Sequence, residues 1–550
     1  MALADSNDPQ IGYSLDSSFP TRKPSCGNET VTQAVLELVR PISNLTSIMG
    51  NRCTTLITLL LAPLAAMQAA DAPKQKPNIV FILVDDMPYA GPSVTGNKLL
   101  QTPHMDRIAT EGMLFSRAYT EPVCGPSRAT LMTGQFAGRH GRTDNVPGVH
   151  PYALMQEPLA PLPDGVPADG FAGEAVAGVR LPDPVQPGGY SLVQALKAGG
   201  YRTGITGKWH LPQQHLTPKL ARQYGFDFCT DKPDRSQPYR DTKHFTDDAV
   251  QFIRDNREQS FFLYVSYVAV HGGHVVPPED QARSKERLKG KTDIMPPEML
   301  ASLEFVDLSV GRILDVLDEL KLADNTMVIF ASDNGGVGKN LYSVENAPFR
   351  LGKGTLYEGG VRVPLFIRWP GQIQPGSRCD VPVHFADMLP TLCDVAGVKP
   401  DPAHKLDGTN LRPLFTGGTL PERTLFVTYP HYLTDHGTTP VRAAIQSRYK
   451  LVWHPYDHLE ITGDRVTEHT IRYIPKPRVE LFDMKSDPGE HENLAAKHPE
   501  KVRELKSLME AWMKQAGAKD LTANPAYDAS RPLFNTRDEA LKKEREGKKK

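Results

Sequence analysis

The chain has 550 residues, with 63 Lys plus Arg against 64 Asp plus Glu, 39% apolar residues, 44 Gly and 48 Pro. At roughly 100 to 200 residues per domain, this length provides several structural units and ample apolar material for a core, which excludes a disordered or collagen-like chain. A formal charge of -1 excludes a global basic field able to hold nucleic acid, so an anionic substrate must be gripped by local cations.

Residues 1–48 read as an upstream extension and residues 49–72 as a secretory signal peptide opening at Met49. Arg52 precedes the apolar run LITLLLAPLAA (56–66), and Ala66, Ala69, Ala70 and Ala72 close it, the charge, apolar and small-residue order of such a leader. The alternative is a buried helix of a folded N-terminus. The run is too short for the roughly 20 residues that span a bilayer, so no stable membrane insertion is expected. The leader implies a secreted or periplasmic protein. Removing it leaves Cys124, Cys229, Cys379 and Cys393, too sparse for a disulfide framework, with Cys379 and Cys393 a pair available to an oxidising compartment.

Residues 73–410 alternate short apolar runs with helical patterns. Strands are expected at NIVFILV (78–84), TGIT (203–206), FFLYVSYVAV (261–270), MVIFAS (327–332) and VPLFIRW (363–369), several of them apolar throughout and therefore buried on both faces. Between Met299 and Leu320, apolar residues at Leu303, Val306, Val310, Ile313, Leu314 and Leu317 repeat close to every 3.6 residues and predict a helix with one stripe on the sheet. Residues 151–188 hold eight Pro and five Gly and read as a surface insertion. Residues 411–525 shift to shorter strand-like runs (TLFVTY, RAAIQ, YKLVW, RVELFD) and a helix over 499–515, and residues 526–550 read as a charged, solvated tail. The expected class is α/β: a large mixed, mostly parallel sheet sandwiched by helices, with a smaller C-terminal antiparallel sheet plus helix.

The strands end on polar residues: Asp85 and Asp86, Lys208 and His210, His271, then Asp333 and Asn334. Ligands of open α/β sheets collect outside the carboxyl ends of the strands, so these residues should share one edge. Asp85, Asp86, Asp333 and Asn334 are hard oxygen donors that favour Ca2+ or Mg2+ over zinc. Taken separately, Asp85-Asp86 also reads as a helix cap or a solvated turn and Asp333-Asn334 as a turn, and His210 or His271 as a structural histidine. Lys353 alone reads as a solvated loop lysine, and Trp209 as a packing residue.

The segment Cys124-Gly125-Pro126-Ser127-Arg128-Ala129-Thr130-Leu131-Met132-Thr133-Gly134 follows the pattern C-x-P-S-R-x-x-L-x-T-G. It resembles the signature of the type I sulfatases, arylsulfatase-like members of the alkaline phosphatase superfamily, and the likeness covers most of residues 76–500. GKWHL (207–211), AVHGGH (269–274) and LGKGTLYEGGVRVP (351–364) are similar to further segments of that family, with Pro212, and Gly272 to His274, departing from its usual pattern. The resemblance implies that a dedicated maturation enzyme oxidises Cys124 to formylglycine. Its hydrate carries two hydroxyls on one carbon: one attacks sulfur, and the other later expels sulfate by restoring the aldehyde.

The resemblance also implies roles. Asp85, Asp86, Asp333, Asn334 and modified Cys124 would hold the metal, and Asp333 would draw the proton from the attacking hydroxyl. Arg128 and Lys208 would neutralise the hydrate and sulfate oxygens, His210 would help release sulfate, and His271 with Lys353 would protonate the leaving alcohol. A helix running from Pro126 should aim free N–H groups at an anion beside residue 124. Likeness to bacterial arylsulfatases and acetylgalactosamine sulfatases points to a sulfated carbohydrate or aryl sulfate substrate, with Arg139, His140, Arg142, His431 and His436 as sugar-side candidates. Two other readings stay open: a phosphomonoesterase or phosphonate monoester hydrolase of the same fold, and an inactive carbohydrate-binding relative.

Overall fold

NIVFILV forms β1 (Asn78–Val84), buried along its whole length. Its alternation divides the core: Ile79, Phe81 and Leu83 enter one apolar layer, and Val80, Ile82 and Val84 the other. The computed structural model describes residues 76–145, 152–153, 184–211, 215–230, 239–272, 275–289, 295–338, 346–431, 433, 436–467, 470–474, 476–518 and 522–523. The expected extension, leader and charged tail, most of the Pro-rich insertion, and the departures at Pro212 and at residues 273–274 lie outside these residues.

The strands β2 (Met113–Phe115), β3 (Arg202–Gly207), β4 (Phe228–Cys229), β5 (Phe261–Ser266), β6 (Thr326–Ser332), β7 (Leu365–Arg368) and β8 (Ser377–Cys379) join β1 in an eight-stranded sheet ordered β8-β2-β7-β6-β1-β5-β3-β4. Only β7 runs antiparallel to its neighbours, β6 and β2; the other pairings are parallel. One face is covered by α1 (Pro103–Thr110), the opposite face by α2 (Cys124–Thr133) and α3 (Leu192–Ala198). Further along the chain, α4 (Arg240–Asp255) and α5 (Pro297–Glu319) join α1, and α6 (Met388–Val395) joins α2 and α3. All six stripe residues of α5 lie in the α1-side layer. The helix starts at Pro297, two residues before the expected Met299, because proline suits a first helical turn.

A second sheet of β9 (Leu425–Tyr429), β10 (Val441–Ile445), β11 (Tyr449–His454) and β12 (Arg478–Asp483) is antiparallel throughout. Helix α7 (Pro499–Ala516) covers it through Leu505, Met509 and Trp512. The expected class is therefore the observed one. Among the described residues no helix is long and apolar enough to cross a membrane.

Three local expectations are corrected. The run 261–270 leaves the sheet after Ser266; residues beyond it bond to the end of β1, with Tyr267 N–H on Leu83 O (2.9 Å) and Val270 N–H on Asp85 O (2.8 Å). The run 363–369 is broken by Pro364, which has no N–H for a ladder, so Arg362 and Val363 pair with Tyr119 and Ala118 and β7 begins at Leu365. Cys379 and Cys393 are both free thiols, each packed separately into one apolar layer, on β8 and α6.

A buried ion cluster anchors the C-terminal sheet. Lys450 of β11 is fully buried, with Nζ 2.8 Å from both Glu358 and Glu490. Glu358 also accepts from Tyr119 (3.0 Å) and Arg362 (3.0 Å), and its N–H donates to Glu490 at 2.7 Å. The glutamate of GTLYEGGVRVP thus joins the short Tyr119–Arg362 strand pair to the C-terminal sheet. A Cβ on Gly359 would lie 2.1 Å from Leu351 O, and one on Gly335 would lie 1.8 Å from Gly359 O. The glycines after Asn334 and Glu358 let two backbones touch at the site edge.

Candidate active site

The carboxyl edge of the large sheet brings the polar strand ends together. Donor atoms of Asp85, Asp86, Cys124 and Asp333, all buried, lie within 4.8 Å of one another. Their placement follows from the two central strands. Asp86 turns back at a φ of 59°, its N–H donating to Asp333 Oδ1 at 3.1 Å, while Met87 N–H donates to Ser332 Oγ at 2.9 Å. Asn334 Nδ2 donates to Asp86 Oδ1 at 2.7 Å, which fixes the orientation of its amide.

Three cations match the three carboxylates. Arg128 reaches Asp333 Oδ2 through Nε (3.0 Å) and Nη2 (2.7 Å), and its Nη1 donates to Ser266 Oγ (2.6 Å) and Lys208 O (3.0 Å). Lys208 Nζ lies 2.5 Å from Asp85 Oδ2. Lys353 is no solvated lysine: its Nζ is buried 2.6 and 2.8 Å from the Asp86 oxygens and 3.4 Å from Cys124 Sγ.

Burial alone would raise the Asp85 carboxyl, but Lys208, then Arg128, Lys353 and His271, together hold it well below the usual carboxylate range. Burial and the neighbouring Asp85 push Asp333 up, to about 7, against the pull of Arg128. Burial, reinforced by Asp85, pushes the Cys124 thiol up, so an unmodified cysteine here is a neutral thiol and a poor nucleophile.

The donor set fits a hard divalent cation. Asp85 Oδ1 and Asn334 Oδ1 are buried with no hydrogen-bond partner. Unmatched buried oxygens are costly, and an oxygen-seeking ion would satisfy both.

The histidines divide. His210, at a φ of 62°, has a buried Nδ1 without a hydrogen-bond partner; burial, then Lys208 and Arg128, push it down to about 2 and keep it neutral. His271 has a half-exposed side chain with Nε2 3.7 Å from Asp86 Oδ2, on the open side of the cluster. Trp209 is fully buried against Tyr224 and Phe226, a packing residue.

Two sugar-side expectations are corrected. Arg139 spends its guanidinium on Asp407 at 2.7 and 2.8 Å, a residue that also accepts from Trp512. His140 is buried between Thr130 and the Arg142 N–H, and burial, then Arg142, push it down to about 3. Arg142 lies over Gly125, His431 bonds Thr143 Oγ1 at 2.8 Å, and His436 packs against Gly354 beside Lys353. Fewer free N–H groups stand at the helix start than expected. The helix begins at Cys124, Pro126 has no N–H, Ser127 N–H goes to Val123 O, and Gly125 N–H goes to Asn145 Oδ1.

Sequence reasoning missed Ser266, which orients Arg128, and Asn346, whose amide bonds Gly336 and Leu351 and shapes the loop carrying Lys353. It missed Ser127, whose hydroxyl donates to Glu121 O and Val123 O and ties down the chain entering α2. The only available signal was position: Ser266 closes an apolar strand, and Ser127 is a fixed position of the Cys124 pattern.

An oxygen-rich cluster at the carboxyl edge of an α/β sheet, ringed by Arg and Lys beside a buried helix-borne residue, defines a hydrolase for esters of a tetrahedral oxyanion. Residues 77–398 match the Sulfatase family, and residues 350–518 match the family described as N-sulphoglucosamine sulphohydrolase, C-terminal. The chain belongs to the sulfatase family and is a sulfuric ester hydrolase. It is 31% identical to N-acetylgalactosamine-6-sulfatase of Canis lupus familiaris over 67% of this chain and 71% of that one. It is 28% identical to a sulfatase of Formosa agariphila over 83% and 92% of the two chains. Among solved structures, Ps i-CgsB in complex with k-i-k-neocarrahexaose superposes with a TM-score of 0.61 at 25% identity, covering 85% of this chain and 99% of that one.

Lys353→Ala removes the cation 3.4 Å from Cys124 Sγ and should lower kcat by about 10²- to 10³-fold, the effect of deleting one charge-stabilising donor from a desolvated site. Steady-state kinetics on an aryl sulfate checks this, and a wild-type kcat would remove Lys353 from the reaction.

Proposed function

We propose that this is a secreted or periplasmic carbohydrate sulfatase that works through formylglycine at position 124 and a bound Ca2+, with Mg2+ the other hard ion that the donors suit. The observation that carries the reading is the surroundings of Cys124. Its Sγ, standing where an oxygen of the modified side chain would be, lies 3.4 Å from Lys353 Nζ and within 4.8 Å of three carboxylates, in a pocket where a thiolate is disfavoured. The leader-like residues 49–72 support export.

Asp85, Asp86, Asp333, Asn334 and the modified residue 124 would hold the metal, which supplies Lewis-acid stabilisation of negative charge on the transferring group. The hydrate supplies two hydroxyls on one carbon, one to take the SO3 group and one whose deprotonation releases sulfate. Asp333 takes the proton of the attacking hydroxyl. Arg128 holds Asp333 and, with Lys208, faces the sulfate oxygens. The negative charge of the sulfate ester offsets the push of Lys208 and Arg128 on His210 and lets its ring accept the second hydroxyl's proton. As the S–O ester bond breaks, Lys353 and the half-exposed His271 protonate the leaving oxygen on the open side, where a sugar has room.

Sulfated sugars are supported as substrates by the relatives: one named an N-acetylgalactosamine-6-sulfatase, another solved with an oligosaccharide. The matured enzyme, screened against sulfated mono- and oligosaccharides and against paired aryl sulfate and aryl phosphate, should release sulfate from a sugar and prefer the aryl sulfate. Turnover confined to phosphate esters, or binding of sulfated sugars without turnover, would overturn the proposal.

A further inference from the structure

The helix that opens on the nucleophile position lacks a cap of its own. Its N-cap residue, Val123, has no side-chain acceptor and packs instead into the apolar layer under the C-terminal sheet. Ser, Thr, Asp and Asn ordinarily satisfy the first N–H groups of a helix. Here Gly125 N–H is taken by Asn145 Oδ1 at 2.8 Å, from 20 positions along the chain. Gly125 makes room for that contact, because a Cβ there would lie 2.9 Å from Arg142 Nε and 3.1 Å from Asn145 Cα.

The loop bearing Asn145 is itself fixed on several sides. His140 Nδ1 accepts Arg142 N–H at 3.1 Å, so Nε2 carries the ring proton and donates to Thr130 Oγ1 of α2 at 3.0 Å. Thr130 in turn donates to the buried Glu121 at 3.2 Å. Thr143 Oγ1 bonds His431 Nε2 at 2.8 Å on the C-terminal side, and Arg142 Nη2 donates to Asn145 O at 2.9 Å. Asn145 is thus held against the first turn of α2.

We propose that Asn145 is a positioning residue: it supplies the cap that Val123 cannot, and thereby fixes residue 124 against Lys353 and Asp86. The proposal rests on residue 124 being the nucleophile. A cap that merely stabilised the fold would change melting but not the chemical step. One that aims the nucleophile changes kcat, since a misplacement of about 1 Å costs on the order of 10²-fold in rate.

The test uses the full-length matured enzyme and Asn145→Leu, Asn145→Asp and Gly125→Ala. A peptide mass at residue 124 shows equal maturation, and thermal unfolding shows that each variant is folded. Asn145→Leu removes the acceptor and should lower kcat about 10- to 100-fold, with KM for an aryl sulfate within about twofold. Asn145→Asp keeps an acceptor oxygen and should restore most of kcat. Gly125→Ala displaces the loop without altering the Asn145 side chain and should reproduce the kcat loss, which keeps the test decisive if Asn145→Leu does not fold. A wild-type kcat in Asn145→Leu or Gly125→Ala, or an Asn145→Asp enzyme as slow as Asn145→Leu, overturns the proposal. An active Cys124→Ala would instead overturn the reading of residue 124, whatever the Asn145 variants do.

Discussion

Cys124→Ala should abolish sulfate ester hydrolysis, lowering kcat by on the order of 10⁴-fold or more, the scale seen when a nucleophile is deleted. The fold should survive, because the change removes one buried sulfur from a helix held by Leu131 and Met132 in the core and by the Ser127 hydroxyl on Glu121 O and Val123 O. Cys124→Ser makes a sharper second case. A serine offers one hydroxyl, so it could accept a sulfate group but has no second hydroxyl to expel it; at most one equivalent of alcohol should be released per enzyme. Circular dichroism and thermal unfolding check the fold, and a burst assay on an aryl sulfate checks the chemistry. Sustained turnover by either variant would remove residue 124 from the nucleophile role.

The largest stability effect is expected at Lys450→Met. The substitution leaves Glu358 and Glu490 facing each other in the core with their shared cation gone, and breaking a buried ion cluster by removing one partner costs about 3–5 kcal/mol. The urea midpoint should fall accordingly, and activity should fall with it at temperatures where the wild type is intact, because Glu358 heads the turn whose Gly359 packs on the loop carrying Lys353. Adding Glu490→Gln should recover part of the loss, since one of the two stranded charges is then removed. An unchanged midpoint in Lys450→Met would show that the cluster contributes nothing net to stability.

Much of the fold was legible because it rests on local pattern. Strand β1 coincides with NIVFILV, the stripe on α5 lies in the core, and the polar residues that end the apolar strands share one edge. The Cys124 pattern, Asp85-Asp86 and Asp333 all point in the sequence to residues that the fold brings together. What escaped detection depends on single residues that meet only in three dimensions. Arg139 and Asp407 are 268 positions apart, Lys450 and Glu358 are 92 apart, and Asn145 reaches Gly125 across 20. None of these pairs carries a periodicity or a spacing. The Gly125 N–H, expected free beside residue 124, is taken for the same reason: whether a donor is occupied depends on which distant loop folds over it. Pro364 was visible in the sequence, but its interruption of the strand mattered only once the ladder partners of β7 were known.

The central claim is most directly tested by mass spectrometry of the peptide containing residue 124, taken from the mature, metal-loaded, active enzyme. Cys124 should have lost its sulfur and two hydrogens and gained one oxygen, in a fraction of molecules that tracks specific activity. An ordinary cysteine at position 124 in a preparation hydrolysing sulfate esters at full rate would contradict it.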